Sequence, residues 1–398
     1  MNIINPLRSL RVLNIAQFIS AFADNVIFFV ILGLLAKTGI NEPEREMAVV
    51  QIGFLLAYVV LAPFVGAFAD RQRKSKVLVV GNSLKAVGIL FMIVGASPVI
   101  SYAVVGIGAV VYSPAKYGVL VEICRGQSRL LMKANGQLES STIAAILLGT
   151  LGGGYLAAYS PLFGMAVCFI LYLISLVLSP FIQCDPGNGE IQYKQSAQAF
   201  FQEVKLLFSI KKTRFTLLGT SAFWMTSSVL RLAFLIWLAE QLSITDKFQQ
   251  SMVVGVTGVG IVVGALLAPY LTTVNRFYKS YLYGFLMMLI ILVSVFPFHL
   301  YITVIELFLI GTLGSIFLIP MNAVLQLEGK DMVGSGKTIA IQNFSENLFM
   351  VLGVGAFQLS LTIGVPVQLA MVGVAALLGG VLLYLRMMIP NLTGETQR

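Results

Sequence analysis

Asp24 and Arg231 offer the most chemistry, because each is an ionisable residue deep in a long apolar stretch. Asp24 lies in AQFISAFADN (16–25), where Gln17, Ser20 and Asp24 recur at i, i+3 and i+7 and so share one helix face. Arg231 lies in AFWMTSSVLRLAFLIW (222–237). A carboxylate accepts an ammonium, and a guanidinium grips a phosphate through two parallel hydrogen bonds. Asn25, Lys116, Glu139, Asn322 and Glu346 add polar groups on similar apolar segments. Together these residues suit the binding of a zwitterionic or phosphate-bearing molecule. Lys85 and Glu306 read instead as members of ordering ion pairs or as snorkelling side chains. Covalent chemistry is poorly provided for. The single histidine, His299, follows Pro297 at a segment end, which excludes a His-based triad or a zinc cluster. Cys124, Cys168 and Cys184 lack metal-ligand spacing and are expected to be reduced packing residues, so no metal or cofactor is expected.

The elements that position these groups follow from composition. The 398 residues are 58% hydrophobic and 11% charged, with a mean hydropathy of +0.91. That charged fraction is roughly half the soluble average. A membrane span takes about 20 apolar residues to cross about 30 Å of hydrocarbon. Twelve stretches qualify, at 12–36, 47–69, 76–96, 98–121, 133–157, 160–183, 213–240, 249–274, 277–297, 299–326, 334–362 and 365–388. They do not alternate, so they read as helices and not as barrel strands. The first carries Asp24 and no small-residue cleavage site, which marks a retained helix. An ionised group at the bilayer centre costs about 2.5–3.5 kcal/mol. Asp24 and Arg231 therefore need a reason to be there.

The chain repeats itself. Tyr112–Glu139 is echoed by Ile319–Glu346: Pro114 and Glu122 in the first copy match Pro320 and Glu328 in the second, an offset of 206 (320 minus 114). The same offset relates LAPF (61–64) to LAPY (267–270). Shared offsets at distant points signal two homologous halves. The expected organisation is an all-α membrane protein with twelve transmembrane helices in two pseudo-symmetric six-helix bundles. The first bundle is placed at 1–183, a cytoplasmic linker at 184–212 and the second bundle at 213–398. Within the linker, 197–210 is amphipathic enough to lie along a membrane surface. Helices 1, 4, 7 and 10 of such a pair face a shared cavity, and they carry Asp24, Lys116, Arg231 and Asn322. Gly149 with Gly153, Gly260 with Gly264, and Gly106 with Gly108 are expected to be helix-packing positions.

The net charge of +9 does not point to nucleic acid, because the basic residues gather at loops of one parity. The other parity holds only Lys37, Arg45 and Lys247, beside Glu42, Glu44, Glu46 and Asp246. This positive-inside bias puts both termini in the cytoplasm and the basic side against anionic lipid. One basic loop is distinctive. Gly66, Asp70, Arg71, Arg73 and Lys74 resemble the loop signature G-x-x-x-D-R-x-x-R-[KR] of the major facilitator superfamily, with the second basic cluster one place early. Asp70 at a helix end, paired with basic groups, is expected to latch one conformation and release in another. The second half keeps only Asn275, Arg276 and Lys279 there, a degraded latch. GSGKT (334–338) mimics the end of a phosphate-binding loop, but Asp331 stands where the leading glycine belongs and no strand precedes it.

Longer stretches sharpen the resemblance. AQFISAFADN (16–25), APFVGAFAD (62–70), YSPAKYG (112–118), KANGQLESSTIAAILLGTLGGG (133–154), FWMTSSVLR (223–231), GIVVGA (260–265) and AIQNFSEN (340–347) resemble the bacterial lysophospholipid transporters of that superfamily. The resemblance implies a non-enzymatic, multi-pass protein of the bacterial inner membrane that flips lysophospholipids, chiefly lysophosphatidylethanolamine, from outer to inner leaflet. It implies a partner acyltransferase–acyl carrier protein synthetase that re-acylates the delivered lipid; the transporter itself is expected to be a monomer. The family's helix-1 acid, its YSPAK lysine and its helix-7 arginine fall on Asp24, Lys116 and Arg231. Ala23 stands where the family usually has glycine. A lipid substrate adds one demand, a lateral opening that leaves the acyl chain in hydrocarbon. A proton-coupled exporter of a small solute, with Asp24 or Glu139 titrating, is the alternative.

Overall fold

The computed structural model describes residues 6–37, 43–125, 127–244, 247–297 and 299–393. Glu42 and Asp246 lie outside the described residues, as do the side chains of Glu44, Arg45, Glu46 and Lys247. The described chain is helical throughout: α1 (Pro6–Lys37), α2 (Pro43–Arg71), α3 (Lys74–Ile93), α4 (Pro98–Cys124), α5 (Ser128–Tyr159), α6 (Pro161–Leu178), α7 (Tyr193–Ser209), α8 (Lys211–Leu242), α9 (Lys247–Leu271), α10 (Tyr281–Val293), α11 (Leu300–Val333), α12 (Ser335–Thr362) and α13 (Val367–Thr393). Among the described residues eleven helices are long and apolar enough to span a membrane. α2, at 29 residues, contains the remaining expected span. α7 is the amphipathic linker helix. It starts at Tyr193, four residues before the expected segment, and buries Phe200 and Leu207 while Phe201 and Leu206 stay exposed.

The repeat is visible in backbone detail. Pro63 in α2 and Pro269 in α9 sit inside their helices at the common offset, as do Pro114 in α4 and Pro320 in α11. A proline inside a helix removes one backbone hydrogen bond, so paired prolines mark the same local loosening in both halves. Packing repeats as well: α1 lies on α6 and α3 on α6, while α8 lies on α13 and α10 on α13. The glycines expected at packing positions are at close approaches. A Cβ added at Gly149 would come within 2.8 Å of the Phe22 carbonyl, and one at Gly108 within 2.5 Å of the Gly81 carbonyl. Gly260 and Gly264 meet the Phe308 and Thr312 carbonyls in the same way.

The contacts group the chain into two compact units that cut across the expected bundles. One comprises Met1–Gln127, Ser141–Glu203 and Gly329–Phe344; the other comprises Ser128–Ser140, Val204–Glu328 and Ser345–Arg398. Thus the opening turns of α5 and α12 exchange units. A pair of repeated asparagines explains part of this. Asn135 of α5 and Gln326 of α11 exchange two amide hydrogen bonds of 2.9 Å, both side chains being buried. Asn343 of α12 donates to Ser113 of α4 at 2.9 Å. In each case the fifth spanning helix of one repeat bonds to the fourth of the other. Buried amides leave few alternatives, because an unpaired one costs on the order of 1–3 kcal/mol.

Candidate functional site

Two intramembrane charges of the first unit, Asp24 and Lys85, meet where α1, α3 and α6 come together. Asp24 sits midway along α1 and faces α3 and α6. Lys85 Nζ lies 2.7 Å from Asp24 Oδ2, and the Tyr172 hydroxyl donates to Asp24 Oδ1 at 2.7 Å. Lys85 also donates to Ser20 Oγ at 3.0 Å, Ser20 to Asn82 Oδ1 at 3.0 Å, and Asn82 to Ser175 Oγ at 2.9 Å. Ser175 closes the chain on the Ala16 carbonyl at 2.9 Å. The lysine ammonium also stands 5.2 Å from the Tyr112 ring centre and 5.6 Å from that of Tyr172, within cation–π range. The pair is asymmetric in burial: Lys85 keeps 3% of its side chain exposed and Asp24 keeps 24%. Lys85 thus approaches Asp24 from the more buried side, and about a quarter of the Asp24 side chain stays exposed. The expectation that Lys85 orders the bundle as an ion pair is met here, and its partner is Asp24 itself.

Arg231 is placed differently. It lies on α8 of the second unit, is exposed, and makes no ion pair among the described residues. A guanidinium at mid-span is a ready phosphate ligand. Lys116 on α4 is buried, with Nζ 4.6 Å from the Tyr117 ring centre. Glu139 on α5, Asn322 on α11 and Glu346 on α12 are all buried. Asn25 donates to the Ala21 carbonyl one turn back on its own helix, at 2.8 Å. Glu306 is buried on α11, and its Oε2 has no hydrogen-bond partner among the described residues.

The loop signature assembles a second cluster. The Asp70 carboxylate accepts hydrogen bonds from the backbone N–H of Gly336 (2.7 Å) and Lys337 (3.0 Å) and from the Ser335 hydroxyl (3.2 Å). It therefore caps the N-terminus of α12, where unpaired N–H groups and the helix dipole favour an anion. The expected basic partner is present too. Lys74 lies 3.6 Å from Asp70 and 2.7 Å from Glu122, with all three carboxylate and ammonium groups largely buried. Gly66 is required by the geometry, since a Cβ there would stand 2.6 Å from Lys337 Cα. The glycines of the GSGKT run serve the same contact. Gly334 takes φ +97°, and a Cβ on it would meet Asp70 Oδ2 at 2.6 Å. That run does bind an anion, and the anion is a side chain of the same protein. Arg71 stacks on the Tyr193 ring at 4.7 Å, and Arg73 is exposed.

Sequence reasoning left out several members of this cluster. Glu122 also accepts the Asp185 N–H at 3.0 Å; its recurrence as Glu328 was the available signal. Glu203 of α7 pairs with Lys337, and Phe200 packs edge-on against Phe344, which fastens the linker helix to the start of α12. No spacing rule announces those contacts. Cys124, Cys168 and Cys184 are buried free thiols, and Cys184 Sγ accepts the Ser75 N–H at 3.3 Å.

Residues 13–354 match the model of the Major Facilitator Superfamily. A lysophospholipid transporter, LplT, of Pectobacterium carotovorum subsp. carotovorum (strain PC1) is 39% identical over 363 residues, covering 90% of this chain and 88% of the relative. LplT of Yersinia enterocolitica serotype O:8 / biotype 1B is 38% identical over 355 residues, covering 88% and 87%. Among solved structures, the human organic anion transporter MFSD10 superposes with a TM-score of 0.79 at 12% identity, over 96% of this chain and 99% of that one. FucP in its outward conformation gives 0.76 at 12% identity, over 95% and 98%.

Proposed function

The chain belongs to the major facilitator superfamily, and from that premise we propose that it carries lysophospholipids across the membrane. It is a multi-pass membrane transporter and not an enzyme. The lysolipid reading rests on one observation above the rest: relatives at 38–39% identity along nearly the whole chain are lysophospholipid transporters. The residues are chemically suited to it. Arg231 offers a guanidinium at mid-span for the phosphodiester, and Lys116 a second cation. Asn25, Asn322, Glu139 and Glu346 supply further polar contacts for glycerol and headgroup oxygens or an ammonium. Asp24 contributes through its open face.

In this reading the lipid moves from outer to inner leaflet of a bacterial inner membrane, with both termini in the cytoplasm. The acyl chain stays in hydrocarbon through a lateral opening while the headgroup crosses. The carrier works as a monomer, and delivery feeds an acyltransferase–acyl carrier protein synthetase that restores the diacyl lipid. The cap that Asp70 places on α12 acts as the latch: it holds one conformation and must release in the cycle, with Gly66, Arg71, Arg73 and Lys74 shaping it.

The test is inward movement of labelled lysophosphatidylethanolamine in liposomes containing the purified protein, with diacyl lipid as control. Selective movement that Arg231→Ala abolishes is the expected result. No movement above protein-free liposomes, from folded protein, would sink the reading. Uptake of a soluble solute that an ionophore collapses would put a proton-coupled exporter in its place.

A further inference from the structure

Asp24 looks at first like the receptor for a headgroup ammonium. Its surroundings say that the post is already filled. Lys85 reaches it from the buried side at 2.7 Å, and Tyr172 occupies the other carboxylate oxygen at 2.7 Å. Ser20, Asn82 and Ser175 hold that lysine in a closed chain of hydrogen bonds, and the Tyr112 and Tyr172 rings flank its ammonium. With 3% of its side chain exposed, Lys85 cannot snorkel to water, and Asp24 is its ion-pair partner among the described residues. No other charged group is paired with Asp24 among the described residues. The open quarter of the Asp24 side chain therefore presents a nearly neutral pair and not a free anion.

We propose that Lys85 is a positioning residue for selectivity: by neutralising Asp24 it weakens the pull on a headgroup ammonium and leaves recognition to the phosphate. The inference rests on the lysophospholipid reading above. Its consequence is a carrier that tolerates headgroups without a cation. An uncompensated Asp24 would attract an ethanolamine headgroup and repel an anionic one, and such a repulsive element is how specificity is commonly built. Lys85 removes that element.

The experiment compares initial transport of lysophosphatidylethanolamine and lysophosphatidylglycerol in liposomes, for the parent protein, Lys85→Met, Lys85→Arg and Asp24→Asn. Lys85→Met should raise the ethanolamine-to-glycerol ratio of kcat/KM by about tenfold or more, mainly through a higher KM for the glycerol lipid. Lys85→Arg should restore the parent ratio. Asp24→Asn, which strands a cation instead, should shift the ratio toward the glycerol lipid. A general loss of folding lowers both rates and leaves the ratio alone, so the ratio separates selectivity from damage. If Lys85→Met cannot be recovered in the membrane, the direction of the Asp24→Asn shift decides. Ratios unchanged within about twofold in the recovered variants overturn the role of Lys85. A parent protein that moves neither lysolipid overturns the lysophospholipid reading instead.

Discussion

α1 and α8 open their respective repeats, and each carries one charged residue at mid-span, Asp24 and Arg231. Around Asp24 the helices contribute Ser20, Asn82, Lys85, Tyr172 and Ser175. At the offset of 206 the second repeat has Thr226, Met288, Ile291, Leu378 and Val381. That offset is structurally sound there: Gly108 meets Gly81, and Gly314 likewise meets Met287. The polar seam of the first unit is thus an apolar seam in the second, with Ile291 and Leu378 fully buried. Duplication kept the helix crossings and divided the electrostatics. One unit carries a charge that is balanced where it stands. The other carries a charge, Arg231, that makes no ion pair among the described residues.

The sharpest way to break this contrast is Arg231→Ala, expected to lower lysolipid transport by about a hundredfold or more, with Arg231→Lys recovering only part because a point charge lacks the bidentate fork. Initial rates in liposomes read it. A rate near the parent's would mean that the guanidinium is not a ligand. Next in size is the removal of one partner from the buried pair. Lys85→Met alone should destabilise the protein by about 3–5 kcal/mol, whereas Lys85→Met with Asp24→Asn should cost far less. Thermal unfolding in detergent measures both, and equal losses for the single and double variants would mean the pair is not an energetic unit.

The loop corners give a second, smaller contrast. Asp70→Asn should cost about 1 kcal/mol through a weakened cap on α12 and raise protease cleavage near 329–337. Arg276→Ala at the equivalent point of the second repeat, where Asn275, Arg276 and Lys279 are exposed, should change stability by about 0.5 kcal/mol or less. Smallest of all is Lys212→Ala. Lys212 pairs with Glu328 at 2.8 Å, but the two side chains keep 40% and 37% of their surface exposed. Solvent screening leaves such a pair about 0.2–1 kcal/mol, against the buried Lys74–Glu122 pair of the first repeat. A large loss on Lys212→Ala would mean that the second corner is a working latch after all.

Much of this architecture was legible from the chain. Spans follow from apolar runs, the repeat from Pro114 and Pro320, and the polar corner at Asp70 from the spacing of Gly66, Asp70 and Lys74. What escaped shares a physical cause. Lys85 sits 61 positions from Asp24, and only the crossing of α3 against α1 decides that they meet. Asp70 reaches backbone N–H groups, which carry no side-chain identity for a sequence to display. The exchange of helix starts between units depends on Asn135 and Asn343, two amides among many. Periodicity locates helices in a membrane, while the partners of their polar residues are fixed by crossings that periodicity does not encode.

The cap on α12 also bears on how the protein is made. Asp70 waits for the N–H of Gly336, 266 positions later, and Glu203 for Lys337, 134 positions later. While the ribosome is still short of residue 336, the carboxylate of Asp70 has only Lys74 nearby, and the first unit lacks one of its three segments. Assembly is therefore late: the earliest helices inserted are among the last to reach their final packing. A chain truncated after α11 should still insert its remaining spans yet turn over quickly in the cell, since quality control meets an unfinished first unit and not merely a missing end.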